Sequence, residues 1–375
     1  MTQKQLTEII RAKVQAGFYP PGALLPSERT MAEALGASRP TLRKAMEPLV
    51  KEGILEQQPG RGMLVPEESA RVPWRMIALL LPDFTNRFFA EVAEAIEYAA
   101  FQRGYQIILC NSRHQPHLIE HHLKQLAARK VDGVILAHQP NQEIPKSLEL
   151  LRQARIPAVL LFSSSRNADW DSVVLEDQAG VEQALRYLVS LGHRQIAYCP
   201  PLDEQSAHPR DDHYREFLRR SLPGKKPCVF HVVGRSDEQV TAALRALLAG
   251  PDAPTACFAG NDHVAVRILK CLAALKVKVP AEFSVVGFDN LRLVEHLPVP
   301  LTTVDQPKQE MGRRAAELLF ERLELGPDTP ARREVFSPHL VIRESASLAR
   351  RFPPAGAAES LAQPAPGAKA KRPQW

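Results

Sequence analysis

From residue 74 to about residue 344 the chain alternates short apolar runs with stretches of helical length, and no other feature restricts its fold as tightly. The runs are MIALLL (76–81), YQIILC (105–110), DGVILA (132–137), PAVLLF (157–162), SVVLE (172–176), QIAYC (195–199), CVFHVV (228–233), TACFAG (255–260) and FSVVGFD (283–289). Between most of them lies an amphipathic segment, such as Phe88 to Arg103, Val181 to Leu191 or His263 to Leu275. Strands that are apolar on both faces and separated by helices predict a parallel sheet covered on both sides, so the class is α/β. Nine such runs are more than one small doubly wound sheet holds, and two α/β lobes are expected. Open parallel sheets take ligands at the carboxyl ends of their strands, and two facing lobes make a cleft there.

Length agrees, because single cores stop growing at about 250 to 300 residues and this chain has 375. With 45% hydrophobic and 24% charged residues it is neither a wholly disordered chain nor a fibrous one. The longest apolar runs, Met76 to Leu81 and Val134 to Ala137, fall far short of the roughly 18 residues of a membrane span. The opening MTQKQLTEIIRAK carries charges where a signal peptide needs an apolar region, which predicts a cytoplasmic protein. Five cysteines, odd in number and without a C-x-x-C pair, read as reduced, buried thiols.

The net charge of +6 is confined to the two ends. Residues 1–65 hold 9 Lys and Arg against 6 Asp and Glu (+3), residues 350–375 hold 5 against 1 (+4), and the remainder holds 34 against 35 (−1). The last stretch is rich in Pro, Ala and Lys with almost no core-forming residues, and is expected to be a disordered, solvated tail. Residues 66–73, PEESARVP, form a polar, proline-bounded linker, which leaves a reader at 1–65 and a sensor at 74–344.

In the first zone, helical periodicity puts Leu6, Ile9, Ile10 and Val14 on one face. Ser27 then caps a helix carrying Met31, Ala32 and Leu35, which stops at Gly36, and Ser38 caps a second helix that turns Leu42, Ala45, Met46 and Leu49 inward. Two short helices around a tight glycine turn make a helix-turn-helix, whose second helix offers its N-terminal side chains to a major groove. After Gly53 two short strands, ILEQ and GMLV, meet around Pro59-Gly60-Arg61-Gly62 as a wing with a cation at its tip. Pro48 removes one bond of the second helix and predicts a kink near 44–48.

The segments LPSER (25–29), SRPTLR (38–43), EGIL (52–55) and GRG (60–62) resemble the winged helix-turn-helix of the GntR family of bacterial transcription regulators. That resemblance implies double-stranded DNA as partner, with Arg29, Ser38, Arg39, Thr41 and Arg43 at the duplex and Gly60, Arg61 and Gly62 at the wing. The residue types suit the task, since Arg pairs with guanine or phosphate and hydroxyls bond phosphate oxygens.

The sensor zone shows ALLLPDFTNRFF where a dinucleotide fingerprint would stand, and it lacks a phosphate loop, a nucleophile elbow and an H-E-x-x-H pair. No enzyme, cofactor or metal site is expected. His117 and His121 share a helical face beside His114 and His122, but no third ligand accompanies them, and the cluster reads as solvated surface.

PDFTNRFF after the first strand, VDGVIL (131–136), LGHRQIA (191–197), AGND (259–262), VPAEFSVVGFDN (279–290) and PLTTVDQP (300–307) resemble, in order, the effector-binding domain of the LacI family. The resemblance implies two Rossmann-like lobes of the periplasmic-binding-protein type with crossovers near 162–166, 289–293 and 325–335. It also implies a regulator, a repressor of carbohydrate-use genes, with a small sugar held in the cleft and a nucleobase as the alternative effector. Asp262 and Asp289 are then effector contacts, each able to accept from adjacent hydroxyls, with helix capping as the alternative role because both precede helices. Arg210 would donate a pair of bonds, Asn261 and Asn290 offer amides, Phe88 or Phe89 a stacking face, and Asn86, Ser112, Asp177 and Gln306 complete the set. One winged head buries little surface, so a homodimer on a pseudo-palindromic operator is expected.

Overall fold

A computed structural model describes residues 2–15, 18–20, 22–66, 75–137, 145–162, 169–201, 208–326 and 329–349. The expected linker beyond Pro66 and the tail at 350–375 lie outside these residues. The chain divides into two compact units, Met1–Met76 and Ile77–Trp375.

The first unit has three helices and a hairpin: α1 (Gln3–Gln15), α2 (Glu28–Ala34), α3 (Arg39–Lys51), β1 (Glu56–Gln58) and β2 (Gly62–Leu64). Leu6, Ile10 and Val14, four apart, are buried along α1, while Ile9 is only half-buried. Ile10 and Val14 meet Met31 and Ala32 of α2 and Leu42, Met46 and Leu49 of α3 in one small core closed by Leu25, Leu55 and Val65. Each such side chain contributes about 1.5–3 kcal/mol when fully buried. Polar links fix α1 on α3: the Thr7 hydroxyl donates to the Ala45 carbonyl at 2.9 Å, and Arg11 pairs with Glu52. Pro48 lies inside α3, which is one continuous element to Lys51.

The second unit contains two six-stranded sheets. The first lobe holds β3 (Met76–Leu81), α4 (Arg87–Gln102), β4 (Gln106–Asn111), α5 (Pro116–Arg129), β5 (Gly133–Ala137), α6 (Leu148–Gln153), β6 (Ala158–Leu161) and β7 (Asp171–Leu175). The second holds α7 (Asp177–Ser190), β8 (Ile196–Cys199), α8 (Pro209–Ser221), β9 (Cys228–Val229), α9 (Asp237–Leu248), β10 (Ala256–Ala259), α10 (Asp262–Ala274), β11 (Ser284–Asp289) and β12 (Thr302–Asp305). Then α11 (Lys308–Leu325) packs on α4 and on β5 to β7 of the first lobe, and two last strands are shared out: β13 (Arg333–Phe336) joins β7, and β14 (His339–Val341) joins β12. The sheet orders are β13-β7-β6-β5-β3-β4 and β14-β12-β11-β10-β8-β9, and the paired registers are parallel except β12 with β14.

This topology corrects all three expected crossovers. Residues 163–166 lie outside the described residues, but β6 and β7 on either side pair in one sheet (Val159 opposite Asp171), so the chain first changes lobes at Glu176. The second passage is at 306–307 rather than 289–293, because TTVD forms β12 beside β11 before α11 returns. The third is at 337–338, between β13 and β14, rather than at 325–335.

His193, from LGHRQIA, is buried and ties three segments of the second lobe together through Thr255 Oγ1 (2.7 Å), Ser284 Oγ (3.1 Å) and the Ser347 carbonyl (3.0 Å). Among the described residues, no helix is long and apolar enough to cross a membrane.

Candidate functional site

Two surfaces collect the residues singled out from the sequence. In the first unit, Ser38 caps α3 by accepting the Thr41 N–H at 3.3 Å, and its hydroxyl meets that of Thr41 at 2.7 Å. Both hydroxyls therefore serve the helix start as well as any phosphate placed there, where the α3 N–H groups already favour an anion. Arg39 is exposed in the first turn of α3 and Arg29 is exposed on α2, 4.0 Å from Glu33. Arg43 is held by Glu28 through two bonds, 3.1 and 2.6 Å, which also keep the Glu28 carboxyl below the usual carboxylate range.

The wing is a tight turn. The Arg61 N–H donates to the Gln58 carbonyl at 3.1 Å, with Pro59 second and Gly60 third at φ +74°. Proline and then a left-handed residue is the pattern of a type II turn, and only glycine takes that third place without strain. Arg61 is thus carried, exposed, at the tip, next to Gly62 at φ +108°.

In the second unit the remaining residues gather where strands end. Asp289 closes β11 with φ +116° and Asn290 follows at φ +50°, two successive left-handed residues without a glycine. Such backbone costs of order 1–3 kcal/mol per residue and persists only where its surroundings impose it. Here the Lys308 ammonium donates to the Asp289 carbonyl (2.5 Å), the Leu291 N–H to Asp262 (2.8 Å), and the Asn290 side chain bridges Asp305 and Arg343 at 2.8 Å each. The Asp289 carboxylate, itself buried, accepts from the Gln306 amide at 2.5 Å.

Arg210 stands opposite this loop, fixed on three sides. Its Nε donates to Asp177 at 2.8 Å, its Nη1 to the Gly260 carbonyl at 2.6 Å, and the guanidinium lies 3.5 Å from the centre of the Phe288 ring. Among the described residues no hydrogen bond reaches Nη2. Asn261 accepts the Val264 N–H with its side-chain oxygen at 2.9 Å, so its amide N–H groups remain. From the first lobe come Phe88, Phe89 and Phe162, with ring centres 5.2 to 6.3 Å apart.

Several of the expected contact residues are engaged within the protein. Asp262 is fully buried, and both its oxygens are taken, by the Leu291 N–H and the Thr303 hydroxyl (2.6 Å). It ties the residue after the Asp289–Asn290 pair to β12. The Asn290 side chain is similarly consumed, Ser112 is buried against the Leu81 carbonyl, and Asp177 works through Arg210. Asn86 caps α4 through the Phe88 N–H (3.0 Å) and also meets His263 of the second lobe (3.1 Å). Phe162, Lys308 and His263 were not singled out by the sequence reading.

Burial pushes the Asp262 and Asp289 carboxyls well above the ordinary carboxylate range. Asp289 adds to the rise at Asp262, whereas Arg210 and Lys308 oppose it at Asp289. The groups gathered at the strand ends are thus the buried Asp289 carboxyl, the Arg210 guanidinium paired with Asp177, and the Asn261 amide, near the first-lobe phenylalanines. Among the described residues, no three His, Cys, Asp or Glu side chains converge as a metal site.

Comparison with known proteins matches each unit. Residues 2–65 match the gntR family of bacterial regulatory proteins, and residues 185–346 match the periplasmic binding protein-like domain. The ribose operon repressor of Escherichia coli is 32% identical over 280 residues, spanning 72% of this chain and 82% of its own. The HTH-type transcriptional repressor PurR of Vibrio atlanticus is 30% identical over 277 residues, spanning 73% and 81%. Among solved structures, a LacI family transcriptional regulator from Enterococcus faecium with bound ribose aligns with a TM-score of 0.64 at 28% identity, covering 73% of this chain and all of the other.

Proposed function

The chain belongs to the LacI family of transcriptional regulators through its two-lobed unit and carries a gntR-family head, and from that premise we propose that it represses sugar-use genes in response to a free pentose. The reader occupies residues 1–65 and the sensor residues 74–344, and the relatives it resembles are regulators, not enzymes. Operator DNA meets Arg29, Arg39, Arg43 and the Arg61 wing tip. The effector lies between Asp289, Gln306, Arg210 and Asn261 of the second lobe and the phenylalanines of the first.

The observation that carries the sugar reading is the charge balance at the strand ends. A phosphorylated ligand needs cations that are not already neutralised, but Arg210 is paired with Asp177 and stands near the Asp289 carboxyl. A neutral polyol instead offers hydroxyls that both donate to the carboxylate and accept from the guanidinium, while an apolar sugar face covers phenylalanine. A nucleobase is the second reading, favoured by the three aromatic rings and by the resemblance to PurR. Two copies bind one pseudo-palindromic operator, which analytical ultracentrifugation checks as a dimer.

Thermal shifts with D-ribose, other pentoses, hexoses, ribose 5-phosphate and nucleobases test the effector, since a ligand at 100 times its Kd stabilises by about 2.7 kcal/mol. Free ribose is expected to raise Tm and to weaken operator binding. A shift with ribose 5-phosphate alone would overturn the neutral-polyol reading, and a shift with nucleobases alone would favour the second.

A further inference from the structure

His263 is the second residue of α10, two after the cap residue Asn261, and its Nε2 lies 3.1 Å from Asn86 Oδ1 at the start of α4 in the other lobe. The two ends of this bond are 177 residues apart in the chain, and it joins the lobes away from the three crossovers. Its direction follows from the helix cap: Asn86 Oδ1 accepts the Phe88 N–H at 3.0 Å, so the same oxygen faces the imidazole and Nε2 must be the donor. The first-lobe loop that carries Asn86 is itself shaped, since Asp83 accepts both the N–H and the hydroxyl of Thr85 at 2.7 Å. His263 is half-buried; burial lowers its pKa, and Asp83 opposes that shift.

The geometry points to His263 as a positioning residue that latches the lobes closed over the effector. It touches no ligand in this scheme. It fixes the distance between the phenylalanine face of α4 and the polar groups of the second lobe, so that a sugar meets both at once. The latch rests on the reading of the cleft as an effector site, but closure itself is measurable without any effector.

The test compares the wild-type chain with His263→Ala, His263→Gln, whose amide still donates, and Asn86→Ser, which keeps a good cap for α4 but is too short to reach His263. Hydrogen exchange is followed in effector-free protein over residues 82–90 and 260–266, and D-ribose binding is measured by calorimetry and stopped flow. One neutral bond of about 0.5–1.5 kcal/mol corresponds to about a 2- to 10-fold effect. His263→Ala and Asn86→Ser should speed exchange in both segments by that factor and release ribose faster, and His263→Gln should restore both. Unchanged exchange in the two disrupting variants, or a Gln variant that behaves like Ala, overturns the latch. A wild-type chain that ignores ribose counts against the pentose reading alone, because the exchange measurement still decides the latch.

Discussion

Replacing Asp289 by Asn isolates the acceptor that a sugar hydroxyl would use. The substitution is nearly isosteric, so a cavity term is negligible, and the Gln306 amide can still donate to the remaining oxygen. What turns toward the ligand is then an N–H group in place of a carboxylate oxygen. Hydrogen bonds to charged groups are worth about 1.5–3 kcal/mol, which corresponds to roughly 10- to 150-fold in Kd for D-ribose. The pH dependence adds a second signature. Burial raises the Asp289 carboxyl, while Arg210 and Lys308 oppose the rise, and a hydroxyl donor favours the ionised form, so binding expels a proton. The unliganded group has the higher pKa. Affinity therefore falls as pH drops through that raised value, by up to about tenfold per unit, and it starts to fall well above the value of about 3.9 at which an exposed aspartate titrates. Calorimetry across that window, in two buffers of different ionisation enthalpy, reads both Kd and the protons released. An Asp289→Asn variant with wild-type affinity, or a wild-type Kd that ignores pH, would refute the assignment of Asp289 as the hydroxyl acceptor.

Arg39→Ala should weaken operator binding by about 1–3 kcal/mol without moving Tm, because the side chain is exposed on α3; unchanged affinity in a salt-controlled mobility assay removes Arg39 from the interface. Gly287→Ala should cost about 3 kcal/mol or more, since a Cβ there would stand 2.3 Å from Asp262 Oδ1 and 2.8 Å from Leu301; an unaltered thermal transition would contradict that packing. Burial depresses the His193 pKa, so the unfolded chain takes up a proton that the folded one resists. Stability of the sensor should accordingly decline as pH falls below about 6.5, and His193→Gln should flatten that slope while lowering stability at neutral pH; parallel urea-unfolding curves for the two proteins across pH would refute it.

What could be read in the sequence divides along physical lines. The strands β3, β5 to β8, β10 and β11 are continuous apolar runs because both their faces are covered, and that pattern is local. β12, β13 and β14 read TTVD, REVF and HLV, too short and polar to announce themselves, and their pairing is decided by neighbours distant in sequence. Thr302 and Thr303 are fully buried only because the Arg343 N–H bonds one hydroxyl and Asp262 accepts from the other. Those three short strands displace the second and third crossovers, whereas the first moves because β7, a legible run, pairs with β6 in the first lobe. The cleft residues behave similarly: strand-end position marks Asp289, Arg210 and Gln306, but whether AGND offers its aspartate to a ligand depends on where Leu291 folds back. His263 is opposite Asn86 for reasons that no local pattern contains.

The corrected crossovers also change how the effector loop can act. With the chain returning at 306–307, Lys308 opens α11 and its buried ammonium donates to the carbonyl of Asp289, 3.7 Å from Glu91 of α4. The residue proposed to accept a hydroxyl is thereby joined to the helix that packs the first lobe. Beside it, the Glu176 N–H bonds the Phe336 carbonyl at 2.9 Å, so the first and third passages are stitched together while the second carries the lysine. A ligand that moved the strained Asp289–Asn290 backbone would pull on the Lys308 bond, and so on the helix that packs against the first lobe. The effector can shift this balance only by its differential affinity for the two arrangements, typically 1–3 kcal/mol. One charged hydrogen bond to Asp289 falls in that range when it forms in only one of the two arrangements, and on the proposed effector reading the strained loop, held between ligand and lysine, is where the switch would originate.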